Sequence, residues 1–359
     1  MKRRTLLKSS IVSLGATTAI VNAPVVHAKK KIRWKMVTAW PKNFPGLGAG
    51  ANHLAKLINT MSAGRLQVKV YGAGEIVPAF EVFDAVSNGV AEMGHSAALY
   101  WKGKVEAAQF FGGAPYGLTC QEMNAWLYYG GGLELWRELY APFNLLPAAA
   151  GNTGVQMAGW FNKEINSLED LSGLKMRIPG LGGEVVKLAG ATPVNIPGGE
   201  VFTALKSGAI DATEWMGPYN DLAFGFYKAA KNYYYPGWHE PGTTMECIIH
   251  KPALEKLSKD LQSIVLRACQ VVNQDMSAEL TVKNAEALTV LKTQHGVQVK
   301  RLPDDVLIKL RGLSEKLVTD LADKNLSIKK VYQSFSAFRK QATAWHEISE
   351  RAYFNKRAI

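Results

Sequence analysis

The sequence predicts an α/β protein with two lobes, followed by a long C-terminal helix. Alternating strand and helix patterns begin near residue 32, and a second series of them begins at residue 154. Such β-α-β order is typical of parallel strands covered by helices. Residues 327–356 then carry apolar side chains at helical spacing. The length of 359 residues, 47% of them hydrophobic, is sufficient for two domains.

The first series of elements leads from residue 32 to residue 150. Its strands show alternating or continuous apolar residues, and its helices show apolar residues at helical spacing. This pattern predicts a parallel sheet with helices on its faces. The predicted strands are 32–40, 66–71, 91–96 and 145–150, and the predicted helices are 46–62, 78–87 and a long tract over 120–140.

The second series starts with the strand VQMAGWF, and a helix-start signal follows at residues 167–170. Further predicted strands are 175–179, 193–197, 209–215 and 297–302, and residues 245–250 form an apolar run. The predicted helices are 183–188, 200–206, 261–293 and the segment from 304 onward. The chain is expected to cross between lobes near residues 152–153 and again near 242–244. We therefore assign residues 29–152 plus 245–296 to lobe I, 153–244 plus 297–326 to lobe II, and 327–359 to the C-terminal helix.

The first 28 residues predict an export signal. They have a basic start, an apolar middle diluted by polar residues, and the small-residue ending Val26-His27-Ala28. Arg3-Arg4 indicates a twin-arginine type of signal, with an ordinary secretory signal as the alternative. We therefore expect a periplasmic protein. Since no later segment approaches about 20 apolar residues, the mature chain is expected to be soluble.

Charge and cysteine spacing disfavour several classes of function. The formal charge is +12, four of which lie in the signal, and no stripe of basic and aromatic residues indicates nucleic-acid binding. Cys120, Cys247 and Cys269 are too far apart to indicate a metal site, and whether any disulfide forms among them is left open. The seven histidines show no pairing at i, i+4, so zinc chemistry is not indicated.

The segment GLGAGA over residues 46–51 formally matches a dinucleotide-binding turn. However, five residues separate it from the predicted strand, and the next acidic candidate, Glu75, lies 29 residues after Gly46 instead of about 20. An exported oxidoreductase would also need a general acid or base, for which we find no convincing candidate. We therefore expect the protein not to be an enzyme.

Two strand ends carry residues suited to an anion and a cation. Arg177 lies near the carboxyl end of a predicted strand, where such sheets bind ligands, and its guanidinium suits a carboxylate. An ion pair within the protein is the equal alternative. Glu214 and Trp215 end another strand. Glu214 either caps the helix near Pro218 or joins a backbone carbonyl and the amide oxygen of Gln156 in an oxygen niche for a hard cation.

The order of these motifs resembles one known family. The segment LSGLKMRIPGLGGEVVKLAGATPVNIPGGEVFTALKSGAIDATEW, with TAWPKNFPG and YYYPGWHEPG, is similar to the substrate-binding proteins of tripartite ATP-independent periplasmic (TRAP) transporters. Within that family the chain looks closest to the branch that binds 2-oxo acids. The likeness covers essentially the whole mature chain.

The resemblance implies a two-lobed, type II-like periplasmic binding protein that closes on its ligand and delivers it to TRAP membrane subunits. The ligand would be a small 2-oxo monocarboxylate such as pyruvate, with lactate, an aromatic 2-oxo acid or another carboxylate as alternatives. Arg177 would bind its carboxylate. Side-chain oxygens of Gln156 and Glu214 and the carbonyl of Trp215 would hold a cation, sodium or alternatively calcium.

The resemblance also implies that Gln156 contacts the ligand and that the ring of Trp215 forms part of the pocket wall. We expect Trp40, Tyr100 and Trp101 to contact the ligand, and Trp238 and His239 to be further wall residues, although each of these five can equally pack in the core or at the hinge. The C-terminal helix either packs on its own lobes or embraces a second subunit, so a homodimer is left open. Finally, we expect Arg177→Ala to abolish ligand binding and to leave the melting temperature of the unliganded protein nearly unchanged.

Overall fold

The strands of the protein form two mixed sheets. The computed structural model describes residues 31–357, and the predicted export signal lies outside the described residues. The strands are β1 (Ile32–Thr38), β2 (Leu66–Tyr71), β3 (Met93–Ala97), β4 (Leu145–Asn152), β5 (Gly159–Phe161), β6 (Lys175–Arg177), β7 (Thr192–Val194), β8 (Ala212–Thr213), β9 (Asn232–Tyr235), β10 (Thr244–His250) and β11 (Gln298–Arg301).

Helices flank both sheets, which confirms the predicted α/β fold class. They are α1 (Leu47–Met61), α2 (Val82–Ser87), α3 (Cys120–Tyr129), α4 (Gly132–Tyr140), α5 (Gly180–Leu188), α6 (Gly198–Ser207), α7 (Pro218–Phe224), α8 (Lys251–Glu255), α9 (Lys259–Gln294), α10 (Asp304–Lys324), α11 (Leu326–Ile348) and α12 (Glu350–Arg357). Among residues 31–357, none of the helices combines the length and the apolar composition needed to cross a lipid bilayer.

The first sheet has the strand order β2-β1-β3-β10-β4. As the sequence predicts, β1 is parallel to both β2 and β3. The sheet is nevertheless mixed, because β10 lies antiparallel between β3 and β4. The chain enters β10 after it has passed through the second sheet, and β10 runs against both of its neighbours.

The second sheet has the order β11-β9-β5-β8-β6-β7 and brings two distant strand ends together. β6 is parallel to β8, with Arg177 opposite Thr213. The backbone N–H of Glu214 then donates to the carbonyl oxygen of Arg177 at 3.1 Å. Because the two strands run in the same direction, Arg177 and Glu214 lie side by side at the same edge of the sheet.

Several predicted elements are shorter than their sequence patterns suggest. Only residues 159–161 of the segment VQMAGWF pair as a strand, and only residues 212–213 of the predicted strand 209–215 do so. The helical tract 120–140 is divided into α3 and α4 at Gly130-Gly131, where Gly131 has a φ of 83°. This left-handed conformation is accessible to glycine at little cost and ends the first helix.

The chain passes from the first sheet to the second between β4 and β5, and it returns between β9 and β10. The predicted lobe boundaries remain a prediction. Helix α9 contacts β4 of the first sheet and also α7, which connects β8 and β9 of the second sheet. It therefore joins the elements around the two sheets.

The predicted long C-terminal helix is present as α11. Its first half is buried through Ile328, Val331 and Phe335. Phe335 meets the ring of Trp126 edge-to-face at a centroid distance of 5.2 Å. The helix ends at Ile348, earlier than its sequence pattern suggests, and α12 follows from residue 350.

Candidate functional site

A cavity lies between residues of the two sheets and contains most of the candidate site residues. Its internal volume is about 20 Å³, which is room for about one water molecule, so its walls lie close together. Its wall includes Trp40, Leu47, Tyr100 and Met245 from the first sheet and its connections, and Gln156, Arg177, Glu214, Trp215, Glu240 and Thr243 from the second sheet and its connections.

Arg177 and Glu214 form a buried ion pair in this wall. Their side chains are only 2% and 1% exposed, and Nη1 of Arg177 donates to Oε1 of Glu214. The same nitrogen donates to the carbonyl oxygen of Glu214 at 3.2 Å, and Nε donates to the carbonyl oxygen of Ile196 at 3.4 Å. Nη2 has no hydrogen-bond partner within residues 31–357. The guanidinium therefore forms the ion pair that the sequence left open and keeps a donor for a ligand.

The surroundings keep Arg177 charged. Burial is the largest single influence and lowers the pKa of Arg177, but Glu214, Tyr100 and Glu240 together outweigh it, and the net pKa lies above its ordinary value. The guanidinium carbon also lies 4.8 Å from the ring centroid of Trp215, a favourable cation–π distance. Glu214 and Trp215 therefore both stabilise the buried positive charge of Arg177.

Glu214 does not cap helix α7. Gly217 occupies the N-cap position of that helix without a side-chain hydrogen bond. Instead, the second carboxylate oxygen of Glu214 lies 3.3 Å from Nε2 of His239. Glu214 thus bridges Arg177 and His239, and the capping alternative is wrong.

Gln156 lines the cavity, and the two ends of its side-chain amide differ in their contacts. Its side-chain nitrogen donates to Oε2 of Glu240 at 2.8 Å, whereas its side-chain oxygen Oε1 is buried and has no partner among the described residues. Glu240 also accepts from Oγ1 of Thr243 at 2.6 Å. Burial, with the charge of Glu214 adding to it, raises the pKa of Glu240 to about 7.

The fold also assembles a cluster that residue spacing does not reveal. Glu214, His239 and Glu240 each place one potential metal-ligand atom within 4.8 Å of the others. His239 was expected only as a wall residue, and Glu240 was missed although it lies in the segment YYYPGWHEPG. The cluster depends on a tertiary contact between that segment and the end of β8, so sequence spacing carries no signal for it.

The aromatic wall is held by hydrogen bonds behind it. Nε1 of Trp40 donates to Nδ1 of His95 at 2.8 Å, and Nε2 of His95 contacts the carbonyl oxygen of Ala150 at 3.0 Å. Burial lowers the pKa of His95 to about 4, so its ring is neutral at pH 7. Burial also raises the pKa of Tyr100 to about 12, which keeps its hydroxyl protonated.

Two aromatic candidates lie elsewhere. Trp101 is absent from the cavity wall, because its ring packs against Phe83 and its Nε1 donates to Glu246. Trp238 is also absent from the wall and packs against Tyr116 at a centroid distance of 5.9 Å. The expected ligand contact of Trp101 is therefore not supported by its position, in contrast to those of Trp40 and Tyr100.

The residues present fit a hard cation. Gln156, Glu214 and Trp215 all line the cavity and offer an amide oxygen, a carboxylate and a backbone carbonyl. Sodium and calcium prefer such oxygen ligands. The unpartnered Oε1 of Gln156 is the strongest indication, because a buried acceptor without a donor is costly unless an ion or ligand binds it.

Comparison with known proteins shows the family of the chain. Residues 36–325 match the family model described as bacterial extracellular solute-binding protein, family 7. A protein of Nostoc sp., named monocarboxylate 2-oxoacid-binding periplasmic protein, is 41% identical over 361 positions. This alignment covers 99% of the present chain and 98% of the relative.

Solved structures extend the similarity to the fold. TRAP solute-binding proteins from Colwellia psychrerythraea, with bound calcium and pyruvate, and from Pseudoalteromonas atlantica, with bound sodium and pyruvate, are both 41% identical with a TM-score of 0.89. The matches cover 91% of this chain and 100% and 99% of those chains. A third, from Bordetella bronchiseptica, is a dimer with calcium and picolinate at 37% identity, a TM-score of 0.89 and coverage of 91% and 97%.

Proposed function

Because the chain belongs to the DctP family of TRAP-transporter solute-binding proteins, we propose that it captures a small 2-oxo monocarboxylate together with a cation. A pyruvate-like acid is the favoured ligand. One observation carries the proposal: the buried cavity wall contains an unpartnered donor, Nη2 of Arg177, and an unpartnered acceptor, Oε1 of Gln156, among the described residues. A carboxylate matches the first atom and a cation matches the second.

The chemistry of a 2-oxo acid suits both atoms at once. Its carboxylate oxygen and adjacent carbonyl oxygen form a five-membered chelate with a hard cation. Arg177 is then available to bind the carboxylate, while Gln156, Glu214 and the Trp215 carbonyl hold the cation. Arg177 and a monovalent cation oppose two negative charges, those of Glu214 and the ligand. Near-neutrality lowers the free-energy cost of burying these charges.

Contacts between elements of the two sheets are consistent with a ligand-binding cleft that closes. Phe44, which follows β1, stacks on Phe224 of α7 at a centroid distance of 4.1 Å. Nδ2 of Asn220 donates to the carbonyl oxygen of Pro45 at 2.6 Å. A ligand that contacts both walls favours the closed arrangement by its greater affinity for it. Delivery to TRAP membrane subunits would follow reopening.

Sodium and calcium each occur with pyruvate in one of the related structures, and we propose sodium with calcium as the alternative. Lactate and aromatic acids are the alternative ligands, and picolinate in a related protein supports the aromatic option. Every one of these candidates offers a carboxylate next to a second donor atom. Each of them can therefore bind Arg177 through its carboxylate and chelate the cation through its two donor atoms.

The glycines at residues 46–51 have a packing explanation, which favours a receptor without covalent chemistry. A Cβ atom on Gly48 would lie 2.6 Å from the carbonyl oxygen of Pro41, and one on Gly50 would lie 2.4 Å from Cε of Met276. Both glycines thus allow α1 to approach its neighbours closely. Nothing in this turn requires a nucleotide.

The C-terminal helices support a homodimer as part of the proposal. Trp345, Ile348, Tyr353 and Phe354 are 60%, 74%, 62% and 53% exposed. Exposed apolar side chains in such number commonly mark an interaction surface, and a second copy of the chain would cover them. The family is extracytoplasmic, and we propose that this member reaches the periplasm by the twin-arginine route.

A thermal-shift screen tests the function. The mature protein is stripped with a chelator and dialysed into choline buffer, and pyruvate, lactate and an aromatic 2-oxo acid are each added with sodium, calcium or neither. We expect stabilisation by pyruvate that requires the cation, of about 2.7 kcal/mol at 100 times the Kd. Arg177→Lys should weaken binding, whereas Arg301→Lys, the same change at an exposed arginine, serves as the matched control. A pyruvate response that is identical with and without a cation would overturn the proposal.

A further inference from the structure

The side-chain amide of Gln156 could in principle turn either its oxygen or its nitrogen towards the cavity. The two ends are similar in size, and only their hydrogen-bonding partners distinguish them. Nε2 lies 2.8 Å from Oε2 of Glu240, 3.3 Å from Oγ1 of Thr153 and 3.3 Å from Oγ1 of Thr243. Three oxygens therefore surround the nitrogen end.

Both threonine hydroxyls have already used their single hydrogen. Thr243 donates from Oγ1 to Oε2 of Glu240 at 2.6 Å, and Thr153 donates from Oγ1 to the carbonyl oxygen of Gly154 at 2.8 Å. Towards Gln156 each hydroxyl thus offers only a lone pair. With Glu240 ionised, a reversed amide would place its oxygen against three acceptors, which is repulsive.

The backbone holds the same partners in place. The N–H of Gln156 donates to the carbonyl oxygen of Glu240 at 3.3 Å, and the N–H of Gly237 donates to the carbonyl oxygen of Gln156 at 2.9 Å. A Cβ atom on Gly237 would lie only 2.2 Å from that carbonyl oxygen. The close approach of the two segments therefore fixes Glu240 next to the amide of Gln156.

We propose that Glu240, Thr153 and Thr243 form an amide clamp that turns the oxygen of Gln156 towards the cavity and thereby prepares the cation site. This inference rests on the proposed function. In the clamp the three residues act through Gln156 as positioning residues, although Glu240 and Thr243 also line the cavity and Glu240 carries a potential metal-ligand atom. Thr153 is the most informative member, because it does not line the cavity and cannot be a direct ligand there.

Isothermal titration of sodium and calcium into the chelator-treated mature protein, with and without saturating pyruvate, tests the clamp. Glu240→Gln is nearly isosteric and allows the amide to reverse, so we expect cation affinity to fall by about 10–100-fold, the range found for residues that orient metal ligands. Thr153→Val removes one acceptor and should weaken cation binding in the same direction. Thr153→Ser keeps the hydroxyl and should restore it, and Thr289→Val, on the exposed face of α9, is the matched control.

A charge-neutral exchange supplies the rescue. In the double variant Gln156→Glu with Glu240→Gln, position 156 presents an oxygen in either orientation, and the new amide at 240 donates to it. We expect cation affinity to return to within a few-fold of the parent protein. An exchange variant as weak as Glu240→Gln alone, or a Thr153→Val variant that equals Thr153→Ser, would overturn the clamp.

Measurements on the parent protein distinguish a failure of the clamp from a failure of the proposed function. Failure of the parent protein to bind pyruvate with a cation would defeat the proposed function itself. Normal binding by the parent protein together with unchanged cation affinity in Glu240→Gln would defeat only the clamp.

Discussion

Replacing Arg177 by alanine is expected to destabilise the unliganded protein as well as to abolish ligand binding. The sequence alone suggested a nearly unchanged melting temperature, on the view that the arginine serves only the ligand. The structure shows that Arg177 is the partner of the buried carboxylate of Glu214, with exposed fractions of 2% and 1%. Removing one partner of such a pair leaves a buried charge without compensation and costs about 3–5 kcal/mol.

The corresponding change in melting temperature follows from the size of the folded part. With an unfolding entropy of about 2.1 cal/mol/K for each of roughly 330 residues, 1 kcal/mol corresponds to about 1.4 °C. The expected decrease is therefore about 4–7 °C. It is measured by calorimetry on the chelator-treated mature protein, without carboxylate ligands.

Companion variants separate the charge from the ligand contact. Arg177→Ala with Glu214→Gln removes both charges and should regain much of the lost stability, as in a double-mutant cycle. Arg177→Lys keeps the charge and should melt closer to the parent protein, but a single ammonium cannot serve Glu214 and a ligand carboxylate as a guanidinium does. An Arg177→Ala protein that melts like the parent, or a double variant less stable than the single one, would refute this reasoning.

Other features give further predictions. Gly198→Ala places a Cβ atom 2.3 Å from the Trp215 ring and should destabilise the protein by about 1–3 kcal/mol and weaken pyruvate binding, as melting and titration will show. Burial raises the pKa of Glu246 from 4.5 to about 7, so the folded state holds an extra proton and loses stability as pH rises from 4.5 to 7. In Glu246→Gln, the decrease of the unfolding free energy with pH should be smaller by up to about 1.4 kcal/mol per pH unit, as denaturant titrations at several pH values will show. The same pH dependence in the parent protein and the variant would contradict this. Trp345→Ser with Ile348→Ser should convert a dimer to a monomer in sedimentation velocity, whereas an unchanged sedimentation coefficient would place any interface elsewhere.

The strands that contribute to the cavity could be recognised from the sequence, because each carries near its end a charged or large aromatic residue that needs a partner. Arg177 lies near the end of one predicted strand, Glu214 and Trp215 end another, and with Gln156 they line a single cavity. Their roles towards ligand and cation remain predictions. The pairing of Arg177 with Glu214 could be argued only as one of two alternatives, since the order of strands in the second sheet is a tertiary property.

Two contacts of the site could not be predicted from the sequence, because they depend on the tertiary structure. The bond from Gln156 to Glu240 joins residues 84 positions apart, and Glu240 alone looks like any acidic turn residue. Tyr100 and Trp101 are neighbours on a 3-10 helical turn, so their side chains diverge. Only Tyr100 reaches the cavity, whereas Trp101 meets Glu246, which is 145 residues away.

Two buried polar atoms of the cavity wall have no hydrogen-bond partner among the described residues, and they couple the binding of the proposed anion to that of the proposed cation. Each unpartnered buried atom, Nη2 of Arg177 and Oε1 of Gln156, raises the free energy of the unliganded protein, because it has lost its hydrogen bonds to water. An anion alone would leave the oxygen without a partner and would place its charge near Glu214, and a cation alone would add a positive charge near Arg177. Only when anion and cation bind together do both atoms gain a partner while the net charge of the site stays small. Anion and cation must therefore raise each other's affinity by the same factor, since linkage between two bound partners is reciprocal.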